Sequence, residues 1–231
     1  MKRYETIFFD LDHTIWDYEA NSLQTLNELH SHYDLYNYAG VTLDKYLSTF
    51  KTINDGLWDN YNRGAIDRDH IKKYRFNNIL KTFGVEDIEM SMEMSSLYIS
   101  ECPKKSNLMP HAIEVLDYLV DKYPMYLLTN GFDDVQQTKL KNSNLEKYFK
   151  GMVTSETCGH RKPSKEIFEF TLDKASAKAE DTIMIGDNLA ADIKGARNAS
   201  IDAIYFNPLK ENHREEVDYE INCLSELTNI L

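Results

Sequence analysis

The sequence predicts an α/β protein in which a parallel sheet is interrupted, after its first strand, by a long all-helical insertion. Three observations carry this. The first apolar run, Thr6–Phe9, is short, β-branched and aromatic with no polar alternation, as suits a strand buried on both faces. Roughly 90 residues of helical spacing follow, too long and too regularly patterned for a loop. From Leu108 onward, short apolar runs alternate with amphipathic stretches, the grammar of a parallel sheet with right-handed crossovers. The expected division is 1–16 with 104–231 as the sheet domain and 17–103 as an inserted helical domain.

Taken in order, the insertion opens with Leu23, Leu26 and Leu29 recurring every three residues. Leu43, Tyr46, Leu47, Phe50 and Ile53 give a second helical stripe behind a Thr42 cap. Either Asp67 or Asp69 caps a third helix, with Ile71, Tyr74, Ile79 and Phe83 facing inward and Gly84 ending it. Asp87 starts a fourth, through Ile88, Met92 and Ile99, which Cys102-Pro103 stops. In the sheet domain, Pro110 suits a first helical turn before Ile113, Leu116, Leu119 and Val120. Strands are expected at 125–128, 151–154, 182–185 and 203–206. Helices are expected at 133–142, 164–174, 189–198 and 225–230.

Composition narrows the class. The chain has 231 residues, 42% hydrophobic and 12% aromatic with 15 Tyr, which describes an ordinary folded protein. Its net charge of −12 argues against nucleic-acid polymers and anionic membranes, both of which are bound through clustered Lys and Arg. Cys102, Cys158 and Cys223 are scattered and include no Cys-x-x-Cys pair, so neither a disulfide framework nor a zinc site is indicated; a reducing cytoplasm is expected. Met1-Lys2-Arg3 is followed by too few apolar residues before Asp10 for a signal-peptide core. No apolar run is long enough to span a membrane.

The chemistry gathers at strand ends. Asp10 and Asp12 stand two residues apart where the first strand meets its loop, the edge at which open α/β sheets bind ligands. Two such charges about 4 Å apart repel by about 4 kcal/mol at an effective dielectric near 20, so a divalent cation is the expected compensator. Thr129 and Asn130 follow the second strand in Thr129-Asn130-Gly131, which is also an ordinary turn tripeptide. Lys162 lies in Gly159-His160-Arg161-Lys162-Pro163-Ser164, where Pro163 restrains the backbone. Asp187 ends a later strand in Gly186-Asp187-Asn188, with Asp192 about a turn onward; Asp187 and Asn188 also suit a helix N-cap.

Asp10-Leu11-Asp12-His13-Thr14, Thr129, Lys162 and the Asp187/Asp192 pair together resemble, in order, the four motifs of the haloacid dehalogenase superfamily. The resemblance spans essentially the whole chain and implies a Rossmann-like core with a helical cap. It implies Asp10 as nucleophile in an aspartyl-phosphate mechanism and Asp12 as acid and base for the leaving alcohol and the attacking water. Thr129, Asn130 and Lys162 would hold the phosphoryl oxygens. Mg²⁺ would sit on Asp10, Asp12 and Asp187, while Asp192 would support Lys162 or a bound water. The polar run from Cys158 to Arg161 departs from the usual pattern.

Leu57-Trp58-x-x-Tyr61-x-x-Gly64-x-Ile66, with Thr129-Asn130-Gly131-Phe132 and Lys162-Pro163-x-x-x-Ile167-Phe168, looks like the pyrimidine 5'-nucleotidase branch. That implies a Mg²⁺-dependent phosphomonoester hydrolase for nucleoside monophosphates, with Trp58 stacking on the base; Trp58 and Tyr61 equally suit the packing of their own helix. The alternatives on the same core are a sugar-phosphate phosphatase or a phosphomutase. A dehalogenase needs neither the metal nor the second acid, Asp12. A phospho-accepting signalling receiver also pairs carboxylates with Thr and Lys, but a long insertion would obstruct its phosphorylating partner. A small phosphorylated substrate and a monomer or weak homodimer are expected.

Overall fold

The computed structural model describes residues 4–231; the Met1-Lys2-Arg3 segment lies outside them. The chain divides into two compact units, one running up to Tyr18 and resuming at Ser106–Leu231, the other Glu19–Lys105.

The first unit is built on a six-stranded sheet, all parallel. Its strands are β1 (Thr6–Phe9), β2 (Met125–Thr129), β3 (Gly151–Thr154), β4 (Thr182–Gly186), β5 (Asp202–Phe206) and β6 (Tyr219–Ile221), in spatial order β3-β2-β1-β4-β5-β6. The chain winds outward from β1 in one direction and then, from β4, in the other, so β1 and β4 flank the switch point at which such sheets bind ligands. Ile7, Phe8 and Phe9 are fully buried because the sheet is covered on both faces. Phe8 packs on one face with Leu128, Val153, Ile167, Phe168 and Met184. β6, three residues centred on Glu220, was not anticipated.

Beyond β1 the chain folds back at once. Ile15 N and Trp16 N donate to Leu11 O at 3.0 and 2.8 Å, and the Trp16 side chain is fully buried. Trp16 then bridges Leu108, Met109 N donates to Ile15 O at 2.9 Å, and Asp17 N to Asn107 O at 3.1 Å. The segments leading into and out of the helical unit therefore run side by side on the sheet domain.

The helical unit contains α1 (Tyr18–His32, from Glu19), α2 (Leu35–Ala39), α3 (Leu43–Asn62), α4 (Arg68–Thr82) and α5 (Ile88–Glu101). Phe50, Phe76 and Tyr98 pack as an aromatic trio with centroids 5.2–6.0 Å apart. Asp67, not Asp69, caps α4 by accepting from His70 N at 2.8 Å, and Asp87 caps α5 through Met90 N at 2.9 Å. Thr42 precedes α3 without a side-chain cap bond. Leu23, Ile88 and Met92, expected inside, point outward. The inward faces are instead Ser22, Thr25, Leu26 and Leu29 on α1, and Ser91, Met94, Ser95 and Tyr98 on α5. Small hydroxyl residues let helices approach closely; Ser95 Oγ donates to Lys72 O of α4 at 2.6 Å.

The remaining helices of the sheet domain are α6 (Ala112–Leu119), α7 (Asp133–Asn142), α8 (Ser155–Cys158), α9 (Lys165–Ala175) and α10 (Gly195–Asn198). On α6 the buried face is Ala112, Val115, Leu116 and Leu119, leaving Ile113 exposed. The helix expected over 189–198 is a π-helical stretch, Leu189–Lys194, followed by α10. The closing helical stretch is a 3₁₀ turn, Leu224–Asn229. Among the described residues, no helix is long and apolar enough to cross a membrane.

Candidate active site

Asp10 sits just past β1, its N–H donating to Ile185 O of β4 at 2.9 Å, so its backbone belongs to the ladder while its carboxylate stands at the carboxyl edge. Register places Thr129 at the end of β2 and Asp187 just past β4 on the same edge. Lys162, between α8 and α9, is 2% exposed; its ammonium donates to Asp10 Oδ1 at 2.5 Å and to Asp192 Oδ1 at 2.6 Å. The lysine is held at its backbone too. Asn130 Nδ2 donates to Lys162 O at 2.9 Å and Asn130 Oδ1 accepts from Lys162 N at 2.8 Å, so this amide fixes the lysine loop. Asn130, expected on the phosphate, thus has its side chain on the loop. The Lys162–Pro163 peptide is cis.

The π-helical turn returns Asp192 toward the strand it follows. Its Oδ2 accepts from Asn188 N at 3.0 Å and lies 2.3 Å from where a Cβ on Gly186 would fall, so only glycine at 186 admits this approach. The N-cap of the turn is Asn188, whose Oδ1 accepts from Ala190 N and Ala191 N at 3.0 and 2.8 Å. Asp187 is thereby released from capping and accepts a long bond from Thr14 Oγ1 at 3.3 Å.

Asp10, Asp187 and Asp192 each offer a carboxylate oxygen within 4.8 Å of the others. Burial pushes Asp10 up to about 7, with Lys162 opposing and Asp192 adding to the rise. Burial, then Asp10 and Asp192, holds Asp187 well above the usual carboxylate range. Burial would lower Lys162, but its two carboxylate partners outweigh this and raise it.

Asp12, expected among the metal ligands, has its carboxylate elsewhere. Lys139 Nζ donates to its Oδ1 at 2.5 Å and Gln136 Nε2 to its Oδ2 at 2.9 Å. Burial would raise Asp12, but Lys139 and then Gln136 outweigh it and hold it below the usual range. Gln136 and Lys139, one turn apart on α7, were not singled out from the sequence. The available signal was an inward face of α7 made of Gln136, Lys139 and Leu140, two-thirds polar where an apolar stripe is the rule.

The hard oxygen donors fit Mg²⁺, which favours one or two protein carboxylates completed by water and phosphate. The charges fit as well: four carboxyl groups, Asp10, Asp12, Asp187 and Asp192, face the two ammonium groups of Lys139 and Lys162, an excess that a divalent cation would offset. Of the residues the sequence points to, Asp10, Asp12, Thr129, Asn130, Lys162, Asp187 and Asp192 share the edge. Trp58 belongs to the helical unit, half-buried and edge-on to the buried Tyr61 at 5.4 Å and 82°.

A parallel sheet with a buried carboxylate at its switch point, a buried lysine and a second acid is the arrangement of a hydrolase of the haloacid dehalogenase type, and the chain belongs to this family: the model of the haloacid dehalogenase-like hydrolases matches residues 7–206. The receiver alternative falls with that membership. HAD-hydrolase YfnB of Bacillus subtilis is 35% identical over all of this chain and 97% of its own. Its crystal structure, bound to magnesium and described as revealing interdomain movement, superposes with a TM-score of 0.89 at 32% identity over 99% of both chains. Pyrimidine 5'-nucleotidase PynA of Streptococcus pneumoniae is 30% identical over 99% of this chain and 95% of its own. Pyrimidine 5'-nucleotidase YjjG of Escherichia coli is 26% identical over 99% and 98%.

Proposed function

We propose that the chain is a Mg²⁺-dependent phosphomonoester hydrolase acting through an aspartyl-phosphate on Asp10, with pyrimidine nucleoside 5'-monophosphates as its preferred substrates. The observation that carries the chemistry is Lys162 bridging Asp10 and Asp192 at 2.5 and 2.6 Å beside Asp187, a buried carboxylate site with one cation where a phosphoryl group would enter. The substrate class rests on the nucleotidase relatives.

In the first half-reaction an Asp10 oxygen attacks phosphorus and the ester P–O bond breaks, while Asp12, which must first take up a proton from solvent as substrate displaces the Lys139 pairing, passes that proton to the departing alkoxide. In the second, Asp12 takes a proton from water, which attacks the acyl phosphate and frees Asp10. Lys162 and the Thr129 hydroxyl hold the phosphoryl oxygens as charge develops. Thr129 Oγ1 accepts from Gly131 N and Gln136 Nε2 at 3.1 and 2.8 Å, which leaves its own proton to give. Mg²⁺, held by Asp10 and Asp187, would neutralise charge shared by the phosphate and the carboxylates. Base recognition falls to the helical unit, where Trp58 is the aromatic candidate.

The test is phosphate release from a panel of nucleoside and sugar monophosphates. Turnover should vanish in EDTA and in Asp10→Asn, return with Mg²⁺, and give the highest kcat/KM on pyrimidine monophosphates, deoxyribose tolerated. Asp10→Asn retaining activity within about tenfold would overturn the nucleophile. A sugar phosphate leading the panel would overturn the substrate class alone.

A further inference from the structure

We propose that Lys139 and Gln136 are positioning residues for Asp12, docking its carboxylate beside the phosphoryl site so that it can serve the leaving group. This rests on the reading of Asp12 as acid and base.

The geometry is specific. Both carboxylate oxygens are engaged from α7, Oδ1 by Lys139 at 2.5 Å and Oδ2 by Gln136 at 2.9 Å. Gln136, fully buried, spends its Nε2 on Asp12 and on Thr129 Oγ1 at 2.8 Å, so one amide ties the second acid to the phosphate-binding hydroxyl. A Cβ at Gly131 would fall 2.2 Å from that Nε2, so the turn after β2 is shaped around it. Lys139, 5% exposed, lies 4.4 Å from the Trp16 ring centre. Trp16 is itself fixed by its backbone bonds to Leu11, so the ammonium is held from two sides, by a carboxylate and an aromatic face.

An aspartate in a loop after a strand has several rotamers, and two buried donors select one. Asp12 is not among the carboxylates that cluster as a cation site, and the α7 pair accounts for where it is instead. For Asp12 to reach a leaving oxygen, one donor must yield. Gln136 is fully buried and its Nε2 is shared with Thr129, whereas Lys139 ends a four-carbon stem, so on this proposal it is the Lys139 bond that is exchanged for the leaving oxygen while the Trp16 face keeps the ammonium nearby.

The experiment uses leaving-group dependence, which a merely structural role does not move. Asp12→Asn, Lys139→Met and Lys139→Arg are compared on an alkyl or nucleoside monophosphate, whose leaving alcohol needs a proton, and on p-nitrophenyl phosphate, whose leaving phenolate does not. General acid catalysis contributes about 10²- to 10⁴-fold, so Asp12→Asn should lose on that scale with the alkyl ester and far less with the aryl ester. Lys139→Met should show the same selectivity, at least about tenfold more loss on the alkyl ester, with Lys139→Arg partly restored. Equal loss on both esters, or no loss, overturns the proposal. Should Lys139→Met fail to fold, Lys139→Arg carries the same comparison with the cation displaced, and equal loss there overturns it too. If Asp12→Asn itself lacks the selectivity, the role of Asp12 fails and takes this proposal with it; if Asp12→Asn shows it and the Lys139 variants do not, only this proposal fails.

Discussion

Replacing Lys162 by Met removes the single cation between Asp10 and Asp192 while keeping most of its stem volume. At 2.5 Å and an effective dielectric near 20, each ion pair is worth roughly 7 kcal/mol before desolvation is subtracted. Loss of one partner of a buried pair costs about 3–5 kcal/mol net, because the charge left behind has no water to replace it. With about 2–4 °C of melting temperature per kcal/mol in a chain of this size, the sheet domain's transition should fall by roughly 6–20 °C in metal-free buffer. Mg²⁺ should recover part of the loss, since a cation at the carboxylate cluster offsets the same repulsion. Thermal unfolding followed by circular dichroism with and without Mg²⁺, alongside phosphate release, measures both. A midpoint within about 2 °C of the parent would mean the two carboxylates are not both charged, refuting the charge accounting.

Gly186→Ala would put a Cβ 2.3 Å from Asp192 Oδ2, forcing that carboxylate off Lys162; kcat should fall about tenfold to a hundredfold, and a change below about twofold would show that the contact relaxes freely. Asp67→Ala removes the cap on His70 N and should cost about 1 kcal/mol, a shift of about 2–4 °C, with kcat unchanged; an unshifted midpoint would deny the cap any part in stability. Trp58→Ala should lower kcat/KM on a pyrimidine monophosphate by about ten- to a hundredfold, the worth of about 1–3 kcal/mol of stacking, and on p-nitrophenyl phosphate much less. Equal losses would return Trp58 to packing against Tyr61.

The strands that carry the site were legible because β1, β2 and β4 are short, almost wholly buried apolar runs with a polar residue at or just past their ends. β6 was not, since an edge strand of three residues needs only Ile221 inside and tolerates Glu220 in its middle. Apolar spacing gives the wrong helix phase where hydroxyl residues face inward. Thr25 and Ser91 bond their own helix, to Asn21 O and Ile88 O at 2.9 and 2.8 Å, so they are buried without apolar character and a search for apolar stripes passes over them. In the site, Asp10 and Asp187 follow from strand-end position, and Lys162 from the loop motif that ends at Pro163. Asp192, expected to support Lys162, does so at 2.6 Å, by way of a π-helical turn that spacing does not announce. Gln136 and Lys139 depend on how α7 is rotated against the loop holding Asp12, a relation between distant segments that no local pattern records.

The pairing of Asp17 with Asn107 and of Trp16 with Leu108 bears on how the chain comes together in time. β1 is synthesised first, yet Phe8 must find Tyr126 and Met184, far along the chain. Zipping residues 15–17 to 107–109 short-circuits the intervening helices, shortening the loop that β1–β2 pairing must close about fourfold and sparing about 1 kcal/mol of closure entropy. The splice also means that residues 17 and 107, which bound the insertion, are held together by a hydrogen bond made within the sheet domain itself.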